Sequence, residues 1–126
     1  TKKGVFRARI TSTNGDLDTI DTVYNLSSLP QYANPVQIMG LAISSTGDIL
    51  VGADNTDPIF VIRNGTAGPY YQGLLTKPAG EIVWGSARYI YVNRYNSNTN
   101  SPTVDPSIRR VMKIITESFG APDFGN

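Results

Sequence analysis

Gly40-Leu41-Ala42-Ile43-Ser44-Ser45-Thr46-Gly47-Asp48-Ile49-Leu50-Val51-Gly52 and, 41 residues further on, Glu81-Ile82-Val83-Trp84-Gly85-Ser86-Ala87-Arg88-Tyr89-Ile90-Tyr91-Val92-Asn93 are two versions of one pattern. Each is a short apolar run, a polar turn and a second apolar run, the form of two strands joined by a turn. Each is followed by a third apolar run with a basic residue at or near its end: Ile59-Phe60-Val61-Ile62-Arg63 in one copy, Arg110-Val111-Met112-Lys113-Ile114 in the other. The second copy reaches its third run about ten residues later, an excess taken up by Tyr95 to Ser107. Near the start, Val5-Phe6-Arg7-Ala8-Arg9-Ile10-Thr11 resembles Arg110-Val111-Met112-Lys113-Ile114-Ile115-Thr116, so a further copy enters at its third strand.

Working outward, nearly every apolar stretch is short or alternating and is bounded by Gly, Pro, Asn or Asp, which predicts an all-β chain. The expected strands are Val5 to Thr11, Asp18 to Tyr24, Met39 to Ser44, Asp48 to Ala53, Ile59 to Arg63, Tyr70 to Leu75, Glu81 to Gly85, Tyr89 to Arg94 and Arg110 to Thr116. Asn14-Gly15 and Asn64-Gly65 accept positive φ and predict tight hairpins, with Thr46-Gly47-Asp48 turning in the same way. Leu26 to Tyr32 is the best helical stretch, and Pro30 limits it to a turn.

A period of about 40 residues with several strands per repeat is the signature of propeller blades. The stretch from Gly40 through Asn55 and from Pro58 to Gly65 resembles an NHL-type blade: an apolar strand, a Gly turn, a second strand ending near an Asp, a third strand, and an Asn-Gly hairpin. The likeness weakens over Gly80 to Ile114, where Trp84-Gly85-Ser86-Ala87-Arg88 and the Asn-rich insertion depart from it. The resemblance extends to the gluconolactonase-type propellers. It implies antiparallel meander sheets in an incomplete ring of about two and a half blades: a partial blade over 4–24, blades over 39–75 and 80–116, and the approach to a further blade over 117–126. Closed propellers need typically four to eight blades, so the expectation is a piece of a longer propeller or a protomer completed by other chains. Thr1-Lys2-Lys3-Gly4, with neither an initiating Met nor a signal peptide, reads as the start of a processed or partial chain.

Composition narrows the chemistry of these 126 residues. With no His and no Cys, the stretch holds no Ser-His-Asp or Cys-His set, no thiolate or imidazole metal ligand and no disulfide. Any metal would be a hard cation held by oxygens. A formal charge of +1 gives no overall field for a polyanion, which argues against nucleic acid. Apolar runs such as Ile59-Phe60-Val61-Ile62 and Tyr89-Ile90-Tyr91-Val92 are far shorter than the roughly 20 residues of a membrane-spanning helix. Abundant Ser, Thr and Asn and the sequons Asn25-Leu26-Ser27 and Asn64-Gly65-Thr66 lean towards an extracellular or cell-surface setting.

Candidate site residues follow from where propeller loops converge. Asp54, Asn55 and Asn93 could direct oxygens there for Ca²⁺ or a sugar, although turn bonding is the plainer account of Asp48 and Asp54. The lactonase-type resemblance implies a divalent cation held by scattered Glu, Asn and Asp, a set with no match here. Tyr70, Tyr71, Trp84, Tyr89, Tyr91 and Tyr95 could form a carbohydrate or peptide platform. The plainer expectation is that Tyr89 and Tyr91 share a face packed on the next blade, with Trp84 in the same layer. Arg7 and Arg9 are placed to meet Asp18 or Asp21 across a hairpin. The long polar loop supplies the partner-binding candidates Tyr95, Asn96, Asn98 and Asn100.

No catalytic residue emerges. The function expected is that of a binding or structural module for protein or glycan partners. Alternatives are a piece of a lactonase-like hydrolase with an oxygen-ligated cation, and a structural subunit of a multi-chain assembly.

Overall fold

The computed structural model describes residues 4–25, 38–53, 57–75, 79–93 and 111–121. Every regular element among them is a strand, none is a helix, and all strand pairs are antiparallel. The all-β expectation holds, with sheets that do not close on themselves. The helical candidate at Leu26 to Tyr32 lies outside the described residues. The chain divides into two compact units, Thr1–Pro35 and Val36–Asn126.

The first unit is a hairpin of β1 (Gly4–Ile10) and β2 (Leu17–Asn25), with register shifts at Val5/Phe6 and Ala8/Ile10. Asn14-Gly15 does not make a two-residue turn. The connection runs from Thr11 to Asp16, because the Ser12 hydroxyl accepts the backbone N–H groups of Asn14 and Asp16 and donates to the Asp16 carboxylate at 2.8 Å. Those bonds hold a wider loop in which only Gly15 carries positive φ. Arg7 meets Asp21 across the hairpin at 3.6 Å, as the alternation of strand faces requires.

The second unit holds two meander sheets. One has the order β3 (Ile38–Ile43), β4 (Ile49–Ala53), β5 (Ile59–Arg63), β6 (Thr66–Pro69); the other has β7 (Ile82–Trp84), β8 (Tyr89–Asn93), β9 (Val111–Ile115). The 41-residue repeat reappears in the pairing. Leu41↔Val51, Ala42↔Leu50 and Ile43↔Ile49 of the first sheet become Ile82↔Val92, Val83↔Tyr91 and Trp84↔Ile90 of the second. The third strands align as well, Leu50↔Val61 matching Tyr91↔Lys113.

The fourth strand lies at Thr66–Pro69 and not at Tyr70 to Leu75. Asn64 and Gly65 both adopt positive φ, so the chain reverses within two residues and Thr66 must pair directly with Arg63. Tyr70 N–H adds one last bond to Ile59 O (2.8 Å), after which Tyr71 (φ +57°) and Gly73 (φ +71°) turn the chain away. The other eight strands fall within one residue of the expected bounds.

The two sheets stack through side chains of alternate residues. Ala42, Leu50 and Ile59 of the first meet Ala79, Ile82, Ile90 and Val92 of the second, with Trp84, Met112 and Ile114 packed against this core. At its tightest the stack depends on glycine. Gly40 and Gly52 are cross-strand partners, and a Cβ on either would lie 2.5 or 2.3 Å from the Gly80 carbonyl oxygen. The Ala79-Gly80 backbone therefore rests directly on β3 and β4, tied by Ala79 N–H to Ala53 O (3.2 Å) and Gly80 N–H to Asn93 O (2.6 Å). The opposite face of the first sheet is also buried at Val51, Ala53, Phe60 and Ile62.

After β9 the chain crosses to the first sheet. Ser44 bridges Gly120, Ser45 N–H reaches Phe119 O (2.8 Å) and Ala121 N–H reaches Ile43 O (2.9 Å).

Candidate functional site

The best-organised polar cluster sits at the β3–β4 turn. Ser44, the residue after β3, is almost wholly buried, and its hydroxyl accepts the backbone N–H groups of Thr46 (3.3 Å) and Asp48 (3.0 Å). Gly47 takes positive φ and its N–H returns to Ser44 O at 3.0 Å, which closes the turn. Asp48 is thereby fixed just ahead of β4. Because Ile49 pairs with Ile62, the next cross-strand position sets Asp48 beside Arg63. Arg63 Nε (3.0 Å) and Nη2 (2.9 Å) both donate to Asp48 Oδ2, and the Thr46 hydroxyl adds a bond at 3.2 Å.

The Arg63 guanidinium holds the Asp48 carboxyl below the usual carboxylate range, through its hydrogen bonds first and its charge second, against the opposing pull of burial. The ion pair, with Thr46, Asn64 and Ser118, lines an open cleft of about 290 Å³. A carboxylate held ionised by a fixed cation is a poor proton donor near neutral pH. The pair offers instead a rigid, charge-balanced edge of donors and acceptors. Asp48 thus serves more than its own turn, since its carboxylate also locks β5 to β4.

A second cluster joins the sheets. Tyr71 OH donates to Ile115 O, Glu117 N–H donates to Tyr70 OH at 3.3 Å, and the two rings meet edge-on with centroids 4.5 Å apart. Burial, with its neighbour Tyr70, pushes the Tyr71 phenol up to about 12. These tyrosines are occupied as a clamp between the end of the first sheet and the strand end at β9, which leaves them little to offer as a sugar platform.

Trp84 packs between the sheets as expected, its buried Nε1 without a hydrogen-bond partner among the described residues. Tyr89 and Tyr91 do not share that layer. They pair with Ile115 and Lys113 on the opposite face, because Trp84 pairs with Ile90 and alternation turns the neighbours outward. Tyr91 is exposed, and Lys113 Nζ lies 3.9 Å above the Tyr89 ring.

Among the remaining candidates, Asn93 spends its backbone on the stack, accepting from Gly80 and donating to Glu81 O at 3.0 Å. Asp54, Asn55, Tyr95, Asn96, Asn98 and Asn100 lie outside the described residues. Among the described residues there is no group of three or more acidic side chains able to hold a metal ion. Nor is any helix among them long and apolar enough to cross a membrane. Arg63 was absent from the candidates, although an antiparallel pairing of Ile49 with Ile62 would have set it opposite Asp48.

Comparison with family models, with curated proteins and with solved structures finds no match to this chain.

Proposed function

We propose that this chain is a stretch of a β-propeller acting as a secreted or cell-surface module that binds or scaffolds protein or glycan partners. The observation that carries the reading is the repeat in three dimensions: two meander sheets whose strand pairing coincides after a shift of 41 residues, stacked face to face. Propeller blades stack in this way, each covering a face that its neighbour cannot bury alone. The charge-balanced Asp48–Arg63 cleft suits neutral, hydroxyl-rich or peptide surfaces better than a polyanion. Asn64 is exposed at the tip of its turn, an accessible position for the sequon that favours an extracellular setting.

The test immobilises the chain, probes it with a glycan panel and with extracellular proteins, and images the native source protein by electron microscopy. Saturable binding by folded chain and a ring-shaped particle are expected. A particle with only a two-sheet sandwich would overturn the propeller, and no saturable ligand across the panel would overturn the binding role.

A further inference from the structure

The bonds around the Asp48 carboxylate fall on one oxygen. The Ser44 hydroxyl accepts two backbone N–H groups, so its own proton goes to Thr46 Oγ1 at 2.8 Å, and Thr46 in turn donates to Asp48 Oδ2. With Arg63 Nε and Nη2 added, Oδ2 takes three bonds. Asp48 Oδ1 takes none among the described residues, and Arg63 Nη1 gives none. Asp48 is 8% exposed, yet Oδ1 is not sealed in, since among the described residues Trp84 Nε1 is the one buried side-chain polar atom without a partner. Both side chains line the cleft of about 290 Å³. An ionised oxygen so nearly buried is costly to leave without a donor.

We infer that the cleft is a sugar-binding site, in which one pyranose ring gives a hydroxyl proton to Asp48 Oδ1 while a neighbouring hydroxyl accepts from Arg63 Nη1. The inference rests on the binding-module reading given above and adds the ligand class and the contacting atoms. An open acceptor and an open donor on one ion pair select by chemistry. A carboxylate or phosphate only accepts and would set like charge against Oδ1, with Glu117 adding negative charge near Arg63. An ammonium only donates, which leaves Nη1 unmet beside a guanidinium of its own sign. A trans backbone amide directs its N–H and C=O to opposite sides. Neighbouring hydroxyls donate and accept along one edge and carry no charge. Thr46, Asn64 and Ser118 place further polar groups around the ring. Small-molecule pockets run from roughly 300 to 1,000 Å³, so this cleft holds a single ring and leaves the rest of a glycan in solvent. Ser44 fixes the turn before any ligand arrives, so little ordering opposes binding.

Nuclear magnetic resonance of the full chain tests this at the Arg63 Nε–H signal, with methyl glucoside, galactoside and mannoside titrated to about 100 mM. At least one should give a saturable shift with a midpoint of about 1–10 mM, as expected for a ligand of this size. Asp48→Asn keeps an oxygen towards Arg63 and so turns the open acceptor into a donor, which should weaken binding at least about tenfold. Ser118→Tyr narrows the cleft without touching the ion pair, and should weaken binding likewise if circular dichroism shows Asp48→Asn unfolded. No saturation with any of the three sugars, or a Ser118→Tyr variant that binds as wild type does, overturns the inference. Acetamide or acetate shifting the signal at the same concentrations overturns the ligand class. A silent Arg63 in a chain that still binds members of the glycan panel overturns this site alone, whereas the loss of both signals overturns the binding role as well.

Discussion

Gly52→Ala is the sharpest single test of how the two sheets meet. In an open strand position, replacing Gly by Ala should stabilise by roughly 0.5–1 kcal/mol, because the unfolded chain loses freedom. Gly52 is not open. Its added Cβ would stand 2.3 Å from Gly80 O, 3.1 Å from Ala79 O and 3.4 Å from Ile82 Cδ1. Relief requires about 1 Å of backbone movement at Ala79-Gly80, the segment that holds the bonds to Ala53 and Asn93. Overpacking of this kind costs about 1–3 kcal/mol, so the sign of the effect reverses. Urea unfolding followed by the fluorescence of the one tryptophan, Trp84 between the sheets, reads this directly. With a slope of about 1–3 kcal/mol per M, the midpoint should fall by about 1 M. Gly68→Ala is the internal control: it lies in the same sheet, meets nothing within 4 Å, and should match or exceed wild type. The double variant Gly40→Ala/Gly52→Ala should cost less than the sum of the singles, since both collide with the same carbonyl. A Gly52→Ala midpoint at or above wild type would refute the direct seating of backbone on β3 and β4.

Other outcomes follow from the polar clusters and from one turn. Ser44→Ala leaves the buried N–H of Asp48 without its acceptor and should cost about 1–2 kcal/mol in the same assay. Asp48 has its folded pKa lowered below 3.8, so its stabilising effect is complete above that value and is lost as pH falls through the folded pKa. Asp48→Asn should flatten the acid limb of a stability–pH curve, and an unchanged limb would show the ion pair to be idle. For Tyr71 the sign is opposite: the folded phenol holds its proton up to about 12, so stability is complete below pH 10 and declines between 10 and 12. Tyr71→Phe should shallow that alkaline decline in thermal melts. Ala87 sits at φ +56°, and Ala87→Gly should gain about 0.5–1 kcal/mol, whereas a loss would mean that its methyl group is needed.

How much of this was legible depended on whether the cause lay close in sequence. The 41-residue offset captured the pairing of both sheets because apolar alternation and a short turn leave one register that buries one face. The fourth strand was missed because Thr66-Ala67-Gly68-Pro69 carries little strand propensity of its own. It is imposed by the two-residue turn before it and by Val61 opposite, while the β-rich Tyr70-Tyr71 pair is drawn off to Ile115 and Glu117. Trp84 and Tyr91 were assigned to one layer although period-2 alternation, with Trp84 opposite Ile90, sets them on opposite faces. In the candidate site, Asp48 was readable as a turn residue. Its guanidinium partner required the register as well, a step in which local turn chemistry gives way to cross-strand geometry.

The bridge between Ser44 and Gly120 joins residues 76 apart in the chain. Its consequence lies in the order of events during synthesis. The turn hairpins of the first sheet can pair as soon as they leave the ribosome, but the outer edge of β3 gains these partners only when Phe119 to Ala121 have been made. Closing so long a loop is slow compared with hairpin formation. Until then that edge offers its free N–H and C=O groups to any extended chain nearby, and the arrival of Phe119 to Ala121 closes it against mispairing.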